Sequence, residues 1–153
     1  MRIHNQHLKI RFLVLCALFF LVISGTGWAQ TDQVTLNAML IRASNDGAPL
    51  DQRLEAIEFK LRRVFQFEYY RFVGESSSTI SLPGDVTLSL GQGIRLEVKS
   101  FHADGDRIRS QVRWLRNDDV LLSTTVVMTR KVPVILGGVP DGSGTLIVTL
   151  TVR

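Results

Sequence analysis

The residues able to do chemistry are few and scattered. His102 stands at a strand end beside Asp104 and Asp106. A lone histidine at a polar turn lacks the convergent partners that a general base or a metal ligand needs. The Asp104-Gly105-Asp106 run has the opening of a calcium loop but not the later ligands at their offsets. Serines are plentiful, as at Ser76, Ser77 and Ser78, yet no G-x-S-x-G elbow presents one as a nucleophile. Neither a metal nor a cofactor is expected, and no catalytic residue is assigned. A pair of carboxylates for glycoside hydrolysis would meet only in the fold, and nothing in the spacing selects one.

Two groups fit binding better than catalysis. Phe65, Phe67, Tyr69, Tyr70 and Phe72 form an aromatic cluster. Of these, Phe67, Tyr69, Tyr70 and Phe72 are the candidate stacking platform for a glycan or another small ligand. Strand alternation sets Phe67, Tyr69 and Val73 on one face and Tyr70 and Phe72 on the other. Arg107, Arg109 and Arg113 share one side of a strand, a candidate stripe for an acidic partner or a plain solvated sheet face. Phe59 falls on the polar side of a helix, so it joins the candidate partner surface.

Composition limits what these groups can mean. The chain has 153 residues with 18 Lys+Arg, 14 Asp+Glu, three His and one Cys. Residues 1–29 hold Arg2, Lys9, Arg11, His4, His7 and Cys16 and no acid, so the remainder is close to neutral. A near-neutral remainder is a poor electrostatic match for nucleic acid. Without a cysteine it has no disulfide framework and no thiol nucleophile. Residues 1–29 read as a cleavable signal peptide: a basic start, an apolar run at 12–23 (FLVLCALFFLVI), then small residues with Gly27 and Ala29 ahead of a cut before Gln30. The apolar run is shorter than the ~20 residues of a stable membrane helix, so no lasting span is expected after cleavage. Residues 30–153 are expected to fold as one exported domain, in the periplasm or elsewhere in the cell envelope.

The elements that position these residues follow from periodicity. Residues 34–43 alternate with apolar residues on both sides, which predicts a strand covered on both faces. Leu50, Leu54, Ile57, Leu61 and Val64 recur at helical spacing and predict one amphipathic helix over about 50–65, with Phe59 opposite the stripe. Glu58 and Arg62 form an i,i+4 pair on it. The period then becomes two. Strands are expected at 67–73, 77–82, 86–90, 94–103, 107–116, 120–130, 132–136 and 145–152, separated by Gly/Asp/Pro turns. For the hairpin at Asp104–Asp106, a three-residue loop pairing Ala103 with Arg107 sets Leu96 against Trp114, Val98 against Val112 and Glu97 against Arg113. Gly137-Gly138 reads as a bulge that folds 132–136 back on 145–152. If the last strand lies at a sheet edge, it is free to add to a partner's sheet. The fold class is α+β and mostly β: an antiparallel sheet or sandwich of about eight strands with the helix packed on it.

Three segments resemble parts of the bacterial secretins, the channel proteins of type II and III secretion and type IV pili. Residues 33–43 (QVTLNAMLIRA) resemble the strand that opens the secretin domain. Residues 132–139 (VPVILGGV) resemble a strand ending in Gly-Gly, and residues 145–153 (TLIVTLTVR) resemble the closing strand. They cover under a quarter of residues 30–153. The repeated periplasmic domains and long membrane-spanning hairpins of secretins have no counterpart between them. The resemblance implies a small exported relative or accessory of such a channel, with an envelope or secretion-system protein as partner, possible oligomerisation and no catalytic residues. The expected function is therefore non-enzymatic protein–protein contact. A glycan- or ligand-binding module is the alternative, and a hydrolase with dispersed carboxylates is a third reading.

Overall fold

The computed structural model describes residues 32–47 and 50–153, which belong to one compact unit, Thr31–Arg153. The expected signal peptide lies outside the described residues. Eight strands and one helix follow in the order β1 (Gln33–Ser44), a 3₁₀ turn (Gln52–Leu54), α1 (Glu55–Val64), β2 (Tyr69–Ser81), β3 (Gly84–Gly91), β4 (Ile94–Asp104), β5 (Arg107–Arg116), β6 (Asp119–Thr129), β7 (Val134–Asp141) and β8 (Gly144–Val152). They make two four-stranded antiparallel sheets, ordered β2-β1-β8-β7 and β3-β4-β5-β6. The expected fold class holds.

Between the sheets lies the main core. Val34, Leu36, Ala38 and Leu40 of β1 and Leu146, Val148, Leu150 and Val152 of β8 face Leu88 and Leu90 of β3, Leu96 and Val98 of β4, and Val112 and Trp114 of β5. Each is removed from water, and burying such a side chain is worth about 1.5–3 kcal/mol. Ser100 and Ser110 are also buried, paired across β4 and β5 and bonded to each other at 2.9 Å. That mutual bond offsets the desolvation of both hydroxyls.

A second, smaller core sits on the other side of β1. Leu54 and Leu61 pack on Ile41, Ala43, Tyr70 and Ile147, with Leu50 and Ile57 half-buried beside them. The strand β1 is thus covered on both faces only in its second half, under the helix. Asp51 starts the helical segment by accepting the Arg53 backbone N–H at 3.1 Å, which satisfies one of the donors a helix start leaves open. Glu58 and Arg62 pair at 2.7 Å as the sequence predicts. Val64, expected on the buried stripe, is 60% exposed. The helix ends there, and Phe65 turns to an extended conformation.

Two expectations on strand boundaries are corrected. Residues 67–73 and 77–82 are not separate strands; β2 runs unbroken past Gly74, with a register shift opposite Leu40 and Ile41. The serines remain extended because they pair along β1, Ser76 with Ala38 and Ser78 with Leu36. In the 104–106 hairpin the predicted pairs Leu96–Trp114, Val98–Val112 and Glu97–Arg113 are all present. The loop is nonetheless two residues long, since Asp104 pairs with Arg107, and the odd residue is a bulge between Ser100 and His102. Gly105 takes the turn's positive φ of 57°. A tight turn plus one bulged residue restores the register that a three-residue loop would have set.

Candidate functional site

The last strand is not a sheet edge. β8 is hydrogen-bonded on both sides, to β1 and to β7, so the condition on which it would add to a partner's sheet is not met. Its two-sided burial, with Ile147 and Thr149 covered as well as Leu146, Val148 and Leu150, is that of a central strand. The edges are β2, β7, β3 and β6.

Three of these edges carry features that discourage pairing. β2 holds Arg71, Gly74 and Glu75, and at Gly74 it lies against the Leu90 carbonyl of β3. β3 is short, follows Pro83 and holds Asp85 between terminal glycines. β7 contains Gly137, Gly138 and Pro140 and a register shift. Bulges, charges and prolines are the usual protection of such edges.

β6 has one bulge, at Leu121, but no proline and no charge after its first residue. Residues 120–129 (VLLSTTVVMT) contain no charge, no proline and no glycine. Val120 and Val127 are 48% and 47% exposed. Leu122 and Val126 turn inward onto the main core, while Ser123, Thr125 and Val127 face outward. The strand pairs with β5 alone, and among the described residues no backbone bond from Asp119–Met128 reaches any other partner. An antiparallel edge strand turns every second residue's N–H and C=O away from its one neighbour. β6 therefore presents a row of unpaired backbone groups flanked by Asp119 on one end and Arg130 and Lys131 on the other.

The residues singled out from sequence are dispersed. Phe59 is 76% exposed, set among polar side chains of α1. Arg107, Arg109 and Arg113 share the outer face of β5, next to β6; Arg113 holds Glu97 at 2.9 Å. His102 is exposed opposite Arg109. The aromatic set forms no single platform. Tyr70 is fully buried, and Phe67 joins it and Phe72 in the helix-side core rather than the face of Tyr69. The chain reaches strand geometry only at Tyr69, so alternation does not extend back to Phe67. Arg53 lies 3.7 Å over the Phe72 ring and Arg62 5.6 Å over the Tyr70 ring, so guanidinium groups already occupy these faces.

Tyr69 instead lines a polar cleft of about 290 Å³ with Arg42, Ser44, Asp46, Gly47, Arg71 and Ser143. Sequence reading missed it because its residues come from three separate stretches, 42–47, 69–71 and Ser143. Nearby, Asp141 bridges the sheets, 3.8 Å from Arg42 of β1 and 3.2 Å from Arg116 of β5. Among the described residues no three His, Cys, Asp or Glu side chains converge as a metal site would require. No helix among them is long and apolar enough to cross a membrane.

Tyr70 has a measurable signature. Its hydroxyl donates to the Phe65 carbonyl at 2.8 Å. Burial pushes its pKa above the ordinary 10.0, against smaller opposing effects of the Phe67 backbone and Arg62. The folded form thus keeps a proton that the unfolded chain loses. Stability from this group is full below about pH 10 and falls as pH rises beyond it. Alkaline titration of stability is expected to show that fall, and Tyr70→Phe to flatten it.

No protein-family model matches the chain, and no curated protein matches it. Among solved structures, the cryo-EM structure of the T2SS secretin XcpQ from Pseudomonas aeruginosa is similar at 12% identity and a TM-score of 0.43. The match covers 91% of this chain and 62% of that one, a remote likeness.

Proposed function

We propose that this chain is an exported, non-enzymatic β module of the cell envelope that works by protein–protein contact, with β6 as the contact strand. The observation that carries the reading is the β6 edge, uncharged and free of proline and glycine over 120–129 with its one bulge near the start, in a fold whose other edges carry charges, glycines or prolines. A partner strand laid along it gains main-chain hydrogen bonds, and Val120 and Val127 lose exposed apolar surface. The envelope location rests on residues 1–29 and on the segments resembling secretin strands, which the fold sets side by side in β1, β8 and β7. A role as accessory to a secretion or pilus channel follows from the same resemblance. The arginines of β5 flank the contact strand and favour an acidic rim on the partner.

The test is a photo-crosslinking side chain at Val127 in cells that export the protein. The expected result is one defined adduct that disappears when Thr125→Lys is added. Thr125 is exposed, so this change leaves the fold intact while placing a charge on the edge. A Val127 probe that yields no adduct would overturn the reading.

A further inference from the structure

We infer that the cleft between β1, β2 and the β7–β8 turn binds a small oxyanion, a phosphoryl or carboxylate group, through Arg42 and Arg71. The site is separate from the β6 edge and stands or falls independently of it. Along β1, Leu36, Ala38 and Leu40 face the other sheet, and alternation carries the same face on to Arg42 and Ser44. On β2 their Cα partners are Arg71 and Tyr69. The apolar inter-sheet face thus ends in two arginines set directly opposite each other, with Ser44 and Tyr69 opposed beyond them. Like charges at directly opposed positions of an antiparallel pair destabilise it. Local rules of this kind are broken at functional sites, where a ligand supplies the missing charge.

The neighbouring acids do not supply it. Asp141 is shared: Arg116 Nη2 donates to its carboxylate at 3.2 Å, while Arg42 Nη2 donates to its main-chain carbonyl at 3.3 Å with Nε 3.8 Å from the carboxylate. One edge of the Arg42 guanidinium is therefore held against the β7–β8 turn, and its Nη1 makes no hydrogen bond among the described residues. Arg71 is exposed and forms no ion pair among them. Asp46 also lines the cleft but pairs with neither arginine. Three arginines, Arg42, Arg71 and Arg116, thus stand against two carboxylates, Asp46 and Asp141. An anchored guanidinium opposite an unpaired one offers the forked donors that match a carboxylate or phosphate. Gly47 keeps the space open. A Cβ there would lie 3.5 Å from Tyr69 Cβ and 3.6 Å from Ser44 Oγ, so a larger side chain would fill the gap beside them. The volume of about 290 Å³ is at the small end for ligand pockets and suits one charged group.

The test is titration of the full chain with inorganic phosphate, with acetate and with chloride at matched ionic strength, followed by backbone amide chemical shifts. Saturable shifts at residues 42–47, 69–71 and 143 are expected with phosphate or acetate and none with chloride. The salt that saturates decides between a phosphoryl and a carboxylate ligand. Arg71→Gln is expected to weaken that binding about tenfold or more, the effect of a lost charge-assisted hydrogen bond. Asp46→Asn is expected to tighten it, because it removes a charge of the ligand's own sign from the cleft. Gly47→Leu is expected to abolish it with both arginines still in place. Arg71 and Asp46 are exposed, so neither change threatens the fold. Shifts that grow without saturation in every salt, chloride included, are screening alone and overturn the proposal. Saturation that survives unchanged in Arg71→Gln and Gly47→Leu puts the anion elsewhere and overturns it as well.

Discussion

Gly74→Val is expected to lower the unfolding free energy by about 3 kcal/mol or more, the upper range for forcing atoms into packed space. A Cβ at Gly74 would overlap the carbonyl oxygen of Leu90, which is backbone and has no side-chain rotation to yield with. The collision falls where β2 of one sheet meets β3 of the other. Gly74 also borders the register shift opposite Leu40 and Ile41, where the helix-side core begins. Relief of the overlap would have to open the corner between the sheets or slide β2 along β1. Urea denaturation followed by far-ultraviolet circular dichroism measures the effect. Gly137→Ala is the control, since a Cβ there meets nothing nearer than Leu122 at 4.0 Å, and it is expected to shift the midpoint little.

The same glycine shows where sequence reading stops. A Gly inside an alternating run looks like a strand end, and the expected strands 67–73 and 77–82 leave Gly74 between them. What Gly74 marks is the close approach of another chain segment, and that neighbour is fixed only by the tertiary fold. The helix and the β4–β5 pairing were legible because each depends on residues close in sequence. The Leu50-to-Leu61 stripe and the Leu96–Trp114 pairing are carried by local period alone. Edge status depends instead on strand order. Residues 145–152 alternate Leu146, Val148, Leu150 and Val152 against Thr145, Ile147, Thr149 and Thr151, a pattern that leaves an edge place open. The uncharged run at 120–129 was equally visible, yet nothing local says that β6 has one neighbour rather than two. Asp141 reaches Arg42 and Arg116 across 99 and 25 positions of sequence, a convergence without any local pattern.

The β6 edge is held in place by the core beneath it, and Trp114→Ala tests that support. Trp114 is fully buried and pairs with Leu96 on one side and Leu122 of β6 on the other. Truncating a buried aromatic side chain removes its burial and leaves a cavity, so a loss of about 3–5 kcal/mol is expected. The register shift in β6 lies directly beside this pairing, between Trp114 and Leu115 on β5. Loss of the indole therefore loosens the start of β6 first, and hydrogen exchange at residues 119–122 is expected to accelerate more than at the β1–β8 pairing. Thr125→Lys should do the reverse: an exposed substitution of this kind stays within about 0.5 kcal/mol of the parent while abolishing edge pairing. If Trp114→Ala left exchange in β6 unchanged, the edge would be ordered by something other than the core under β5. If Thr125→Lys destabilised the folded chain as much as Trp114→Ala, β6 would not be the open edge that the contact requires.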